Sequence, residues 1–327
     1  MFLAFLEENF MPLCKIPLLS DLFKQEILPT TTNSMIKKTI LLSSLAIGAS
    51  ALVSNAAPEA TTSDSKSDKT NVLYVTHEPG KYHKYTPQRE IFQEIAKKNN
   101  WNLTVISGSH KDVETKLATD PDFGKGSDVI VYNICMAGSK SLDAPHNIIQ
   151  QTKEKGIPAL LVHCSLHSFW VTYKEKGQDA VHAEGANPKA KTKSSVLAEW
   201  KAANPGVDFP AWPNMTGIAS TSHGPKKPIL ATPVDGLHPI FKGVDSGYTT
   251  APKAELYNNF ITAAESKSTK TLLIGKQGKK EAAILWEHPV GKSKAISFSL
   301  GHGLEEWNQP EFQTILANSV NYLAEGK

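Results

Sequence analysis

The chain has 327 residues, 40% of them hydrophobic and 20% charged, with a formal net charge of +3. This ordinary globular composition excludes collagen-like and low-complexity classes. The lysines are dispersed and the KKP and GKK runs are short enough to be solvated surface, so no nucleic-acid partner is expected.

Met35-Ile36-Lys37-Lys38 is a short basic start, Thr39 to Val53 an apolar stretch, and Ser54-Asn55-Ala56 a run of small residues. The three parts make a secretory signal at residues 35–56 and predict an exported protein, periplasmic or secreted. The apolar run is short for a membrane span, so no membrane partner is expected after cleavage. Glu7, Glu8, Asp21 and Glu26 make residues 1–34 a poor opening for such a signal, and Met35 is the expected translation start. Residues 57–70 lack large apolar side chains and read as a flexible leader, which leaves 71–327 as the folded domain.

From Asn71 apolar strands alternate with helical stretches. Strands are expected at Val72 to Val75, Leu103 to Ile106, Asp128 to Tyr132 and Ala159 to Val162, and helices at Gln88 to Lys98 and Ala144 to Lys155. Short apolar strands between helices predict an α/β fold, a parallel sheet with helices on both faces. Residues 171–215 break the rhythm, being rich in Lys, Ala, Gly and Pro, and are expected to form a lid-like insertion beside the strand ends. Later strands are expected at Thr271 to Ile274, Ala282 to Trp286 and Lys294 to Ser299, the last two as a hairpin turning at Pro289-Val290-Gly291. In the closing helix, Pro310 to Leu323, the residues Phe312, Ile315, Leu316, Val320 and Leu323 mark a core face.

Three histidines follow strands: His77 after NVLYV, His163 after ALLV and His302 after AISFSLG. The C-terminal edge of an open parallel sheet is where ligands bind, so protonatable groups arriving there from distant positions point to one polar pocket. Cys164 invites a nucleophile-elbow reading, but Val162, His163, Ser165 and Leu166 flank it without a glycine, and the elbow position falls more naturally on His163. Cys135 and Cys164 follow strands that are candidate neighbours, so both a disulfide and a pair of buried thiols fit. His163 and His167 have i,i+4 spacing, but no HExxH or paired-cysteine pattern accompanies them, and no metal or cofactor is assigned.

The stretch EHPVGKSKAISFSLGHGLEEWNQPEFQTILANSVNYLA resembles the C-terminal signature of the ThuA-like (trehalose-utilisation) family. LVHCSLHS, STSHGPKKPI, DGLHPIFKGV and AELYNNF follow the family's order, and the resemblance covers Val72 to Leu323. It implies a flavodoxin-like sheet of the class I glutamine-amidotransferase type, with His163 where that superfamily's thiol would stand. It also places His302 at the base histidine, but the nearby acid is Glu305 rather than a residue two places on, which argues against glutamine hydrolysis. Carried over, the catalytic residues are His163, His302 and Glu255, and the substrate-binding residues His77, His83, His223 and Trp307. The implied activity is isomerisation or hydrolysis of a carbohydrate or keto-sugar by proton transfer. The alternative is a non-catalytic glycan-binding or scaffold module. Plainer roles also fit several residues: a solvated loop for His83, a structural role for His238, pairing with a lysine for Glu255, and packing on the last helix for Trp307.

Overall fold

The computed structural model describes residues 69–173, 194–261 and 268–326. The expected start, signal and nearly all of the leader lie outside them. In chain order, β1 (Asn71–Thr76), α1 (Tyr85–Lys98), β2 (Asn102–Ile106), α2 (His110–Thr119), β3 (Val129–Asn133), α3 (Asp143–Lys153) and β4 (Ala159–Val162) alternate. Then come α4 (Ser194–Ala203), α5 (Pro213–Thr216), β5 (Ile218–Ala219), β6 (Leu230–Pro233), β7 (Tyr248–Thr249) and β8 (Phe260–Ile261). The chain closes with β9 (Lys270–Gln277), β10 (Lys280–Val290), β11 (Ser293–Phe298), α6 (Leu304–Trp307) and α7 (Pro310–Glu325).

Nine strands form one sheet in the order β2-β1-β3-β4-β11-β10-β9-β6-β7, and β5 pairs with β8 separately. The five strands from β2 to β11 are mutually parallel. Their order is the doubly wound flavodoxin-like one, with β11 as fifth strand. Beyond β11 the sheet turns antiparallel.

Every residue of β3 and β4 is buried, as expected of strands covered on both faces. On β1 alternation divides the layers: Val72 and Tyr74 pack with Phe92 of α1 and Phe312 of α7, while Leu73 and Val75 pack with Leu117 of α2 and Ile148 of α3. The periodic apolar face of α7 is core, as its spacing predicts. The α2 helix, not foreseen from sequence, begins where the Ser109 side chain accepts the Asp112 N–H.

One expectation needs correction. Pro289 and Val290 remain in β10, paired with Lys294 and Ser293, because the left-handed backbone (φ +57°) falls on Gly291. Of the expected lid, residues 174–193 lie outside the described residues; of the remainder, Tyr173, Trp212 and Met215 pack in the core, and the segment from α4 to Phe209 lies against the start and outer face of α3. There Trp200 and Phe209 pack with Leu142, Trp200 approaches His146, and Lys153 meets Asp208 at 2.7 Å. Among the described residues no helix is long and apolar enough to cross a membrane.

Candidate functional site

Because β1, β3, β4 and β11 are parallel, their C-terminal ends open on one edge of the sheet. The loop after β1 carries His83, the end of β4 carries His163, and the loop after β11 carries His302. His163 occupies the strand-to-helix elbow with φ +47°, a conformation costly for a residue with a Cβ and one that concentrates at functional turns. His302 follows Gly301 at φ +109°, where a Cβ would come within 3.0 Å of Phe312 and 3.2 Å of the Trp307 indole nitrogen. Only glycine lets the chain leave β11 so abruptly.

A fourth group arrives from an antiparallel ribbon. The Gly224 N–H donates to the Leu256 carbonyl at 2.8 Å, Lys227 to Ala254 at 3.0 Å and Asn258 to Ser222 at 3.0 Å. Alternation in this extended segment sends Glu255 and Tyr257 to one side, and both line the cavity. The same ribbon brings His223 and Lys226.

Glu255 is buried at the centre of this convergence. Its carboxylate lies 3.5 Å from His163 Nε2, 3.3 Å from His302 Nδ1, 3.4 Å from His223 Nε2 and 3.4 Å from Lys226 Nζ. Burial holds the His163 imidazole well below its ordinary value and pushes His83 and His302 down to about 4. These three rings are therefore neutral at pH 7, and Lys226 supplies the formal charge that faces the carboxylate. His163 Nδ1 lies 2.8 Å from the Ser299 carbonyl, which fixes the ring's orientation, and the Tyr257 hydroxyl is 3.1 Å from the same nitrogen.

The cavity in front of these groups has a volume of about 400 Å³. Exposed Tyr82 and half-buried Trp170 add aromatic surface at its wall. The arrangement can accept and donate hydrogen bonds through carboxylate and imidazole, move a proton, and stack a flat ligand face on a ring.

The predicted residues separate into two groups. His83, His163, His223, Glu255 and His302 converge on the cavity. His77 does not line it: its buried ring accepts the Cys135 N–H at Nε2, 3.2 Å, and its edge meets Tyr85. Trp307 also belongs elsewhere, being wholly buried against Phe312, with its indole N–H donating to the Gly301 carbonyl at 3.0 Å. Its flat face is core, and it acts on the site only by holding the turn before His302. His167 lines the cavity as well, meeting Ser220 Oγ at 2.8 Å and stacking on Tyr257 at 3.9 Å. Cys164 is joined to Cys135 in a disulfide, so no free thiol stands beside the elbow.

Sequence reasoning passed over three contributors. Lys226 read as solvated surface, and nothing in its local pattern marks it. Tyr257 was visible only as the second member of a Glu-x-Tyr alternation. Glu306 accepts the N–H groups of Gly301, His302 and Gly303 at 3.3, 2.9 and 3.4 Å, clamping the turn that presents His302. Burial raises this carboxyl to about 7 despite those donors.

A family model described as ThuA, trehalose utilisation, matches residues 71–323. A ThuA-like protein of Bacteroides uniformis superposes with a TM-score of 0.52 at 14% identity, over 78% of this chain and 91% of that one. A ThuA-like protein of Parabacteroides merdae gives 0.52 at 15% identity, over 79% and 91%. These likenesses concern the fold, which is flavodoxin-like and of the glutamine-amidotransferase type. No curated protein matches the chain.

Proposed function

From the premise that this chain belongs to the ThuA family, we propose that it is an exported enzyme acting on a carbohydrate or keto-sugar by proton transfer at Glu255. The observation that carries the reading is the buried Glu255 carboxylate ringed by His163, His302, His223 and Lys226 at one cavity wall. A carboxylate so placed takes a proton from a carbon beside a carbonyl or from a hydroxyl, and returns it at a neighbouring position. The Lys226 ammonium, which also lines the cavity, donates to the oxygen where charge develops, while the neutral His163 and His302 rings, with Nδ1 facing the Ser299 carbonyl and Glu255 respectively, frame the carboxylate.

The substrate class has two supports. The family's description is trehalose utilisation, and the cavity's volume and mixed aromatic and polar wall suit a sugar. Export is supported by the signal-like segment at 35–56 and by the Cys135–Cys164 disulfide, a bond that persists in oxidising compartments.

The test is incubation of the purified protein with disaccharides and keto-sugars in deuterated water, followed by proton NMR. The expected result is deuterium entering beside the carbonyl, or conversion of the sugar, with loss of both in Glu255→Gln while circular dichroism is unchanged. Sugar binding without exchange or conversion would instead establish the non-catalytic glycan-binding alternative.

A further inference from the structure

We infer that His83, His163 and His302 form a site for one divalent transition-metal ion of the zinc type. The three rings come from three separate loops, yet their centroids form a nearly equilateral triangle of 4.9, 5.1 and 5.4 Å. Their planes stand at 82°, 85° and 64° to one another, so they neither stack nor share a plane. Three imidazoles around one tetrahedral ion at about 2.0–2.1 Å per nitrogen would put ring centroids about 5 Å apart, each pair steeply inclined. One ligand nitrogen from each ring lies within 4.8 Å of the others, and two of the rings are buried.

The surroundings fit the same assignment. Metal-binding histidines ordinarily donate their second nitrogen to a carbonyl or carboxylate, which fixes the tautomer and aims the other nitrogen at the ion. His163 Nδ1 lies 2.8 Å from the Ser299 carbonyl, and His83 Nδ1 lies 3.4 Å from the His302 carbonyl. In both rings Nε2 is thereby the ligand atom. The His302 main chain is held by Glu306. Glu255, touching both His163 and His302, stands beside the ion as a fourth ligand or as the base for an ion-bound oxygen.

Lys226 is the competitor. Its ammonium lies 2.8 Å from His302 Nε2 and 3.4 Å from Glu255, positions that a second cation would contest. Its side chain is 46% exposed and can swing into solvent. Ion binding and Lys226 are thus opposed, and removing the ammonium should strengthen the site.

The inference deepens the proton-transfer reading by placing a Lewis acid in the same cavity, but its test needs no sugar. Purified protein, cleared of metal by chelator and kept free of reductant so that Cys135 and Cys164 stay joined, is titrated with zinc by calorimetry and with cobalt by visible absorption. The expected result is one ion per chain, with the ligand-field absorption of tetrahedral cobalt. His83→Asn, His163→Asn and His302→Asn should each weaken binding by at least about 100-fold, since even outer partners of such ligands are worth 10–100-fold. Lys226→Met, at an exposed side chain that can be replaced without loss of the fold, should tighten binding several-fold. Absence of stoichiometric binding, or binding that survives all three histidine changes, overturns the inference. Should the histidine variants unfold, Lys226→Met decides, because unchanged or weaker binding there also overturns it. Sugar turnover without ion binding would remove this inference and leave the proton-transfer reading standing, and ion binding without turnover would do the reverse.

Discussion

His302 and His288 are alike in isolation and opposite in setting. Burial pushes both imidazoles down to about 4, so both are neutral at pH 7. His288 sits in β10 of the antiparallel half, where Thr269 Oγ1 meets its Nδ1 at 3.0 Å and no carboxylate approaches it among the described contacts. His302 sits at the C-terminal edge of the parallel half, facing Glu255, with His83 and His163 about 5 Å away. A depressed pKa reports burial first, at His302 as at His288. What distinguishes a site is convergence of several such groups from separate loops, and parallel strands supply it by ending on one edge.

The sharpest way to break this contrast is Glu255→Gln, which removes the group on which the cavity converges. Turnover should fall by about 10²–10⁴-fold, the ordinary worth of a general base, while the thermal midpoint stays near that of the parent. Activity retained in a folded Glu255→Gln protein would mean that the convergence has no chemical role. Next in size is Trp307→Ala, a core truncation that should cost about 3–5 kcal/mol by denaturant titration. A solvent-facing sugar platform at Trp307 would instead lose affinity at nearly unchanged stability.

Acidification affects both halves together. His77, His83, His288 and His302 are each lowered from the ordinary histidine range to about 4 by burial. Their contribution to stability is therefore complete above about pH 6.5 and is lost as the pH falls through 4, because the unfolded chain takes up protons first. Glu306, raised to about 7, acts in the opposite sense, losing stability as the pH rises from about 4.5 to 7. Four groups outweigh one, so equilibrium unfolding from pH 7 to 4 should show a net decline. A flat profile would contradict the neutral assignment of these rings. The smallest effect is expected from Cys164→Ser with Cys135→Ser: stability falls while turnover per folded molecule is retained, and lost turnover in the folded variant would revive a thiol mechanism.

How much of this was readable in advance follows the range of the physics. The parallel half was legible because NVLYV, VIVYN and ALLV are continuous apolar runs between amphipathic helices, a local pattern. The elbow at His163 was legible for the same reason, since its position is counted from the strand before it. The antiparallel extension through β6 and β7 was not, because LATP and YT are short and half polar, and only the pairing of β6 with β9 and of β7 with β6 makes them strands. Within the site, the residues selected by resemblance fall in two places: Glu255, His83, His163, His223 and His302 line the cavity, whereas Trp307 and His77 are buried away from it. Lys226 and Glu306 were invisible because their roles arise across separations of 29 and 4 residues, from a ribbon and a glycine turn that no local periodicity announces.

The most direct test of the account assays His302→Asn and His288→Asn side by side on the same sugars. Both replace a neutral imidazole, buried at His288 and partly buried at His302, with a smaller polar group. The convergence account predicts that turnover falls at least about 100-fold in His302→Asn and stays within about twofold in folded His288→Asn. Equal losses, or the greater loss in His288→Asn, would contradict it.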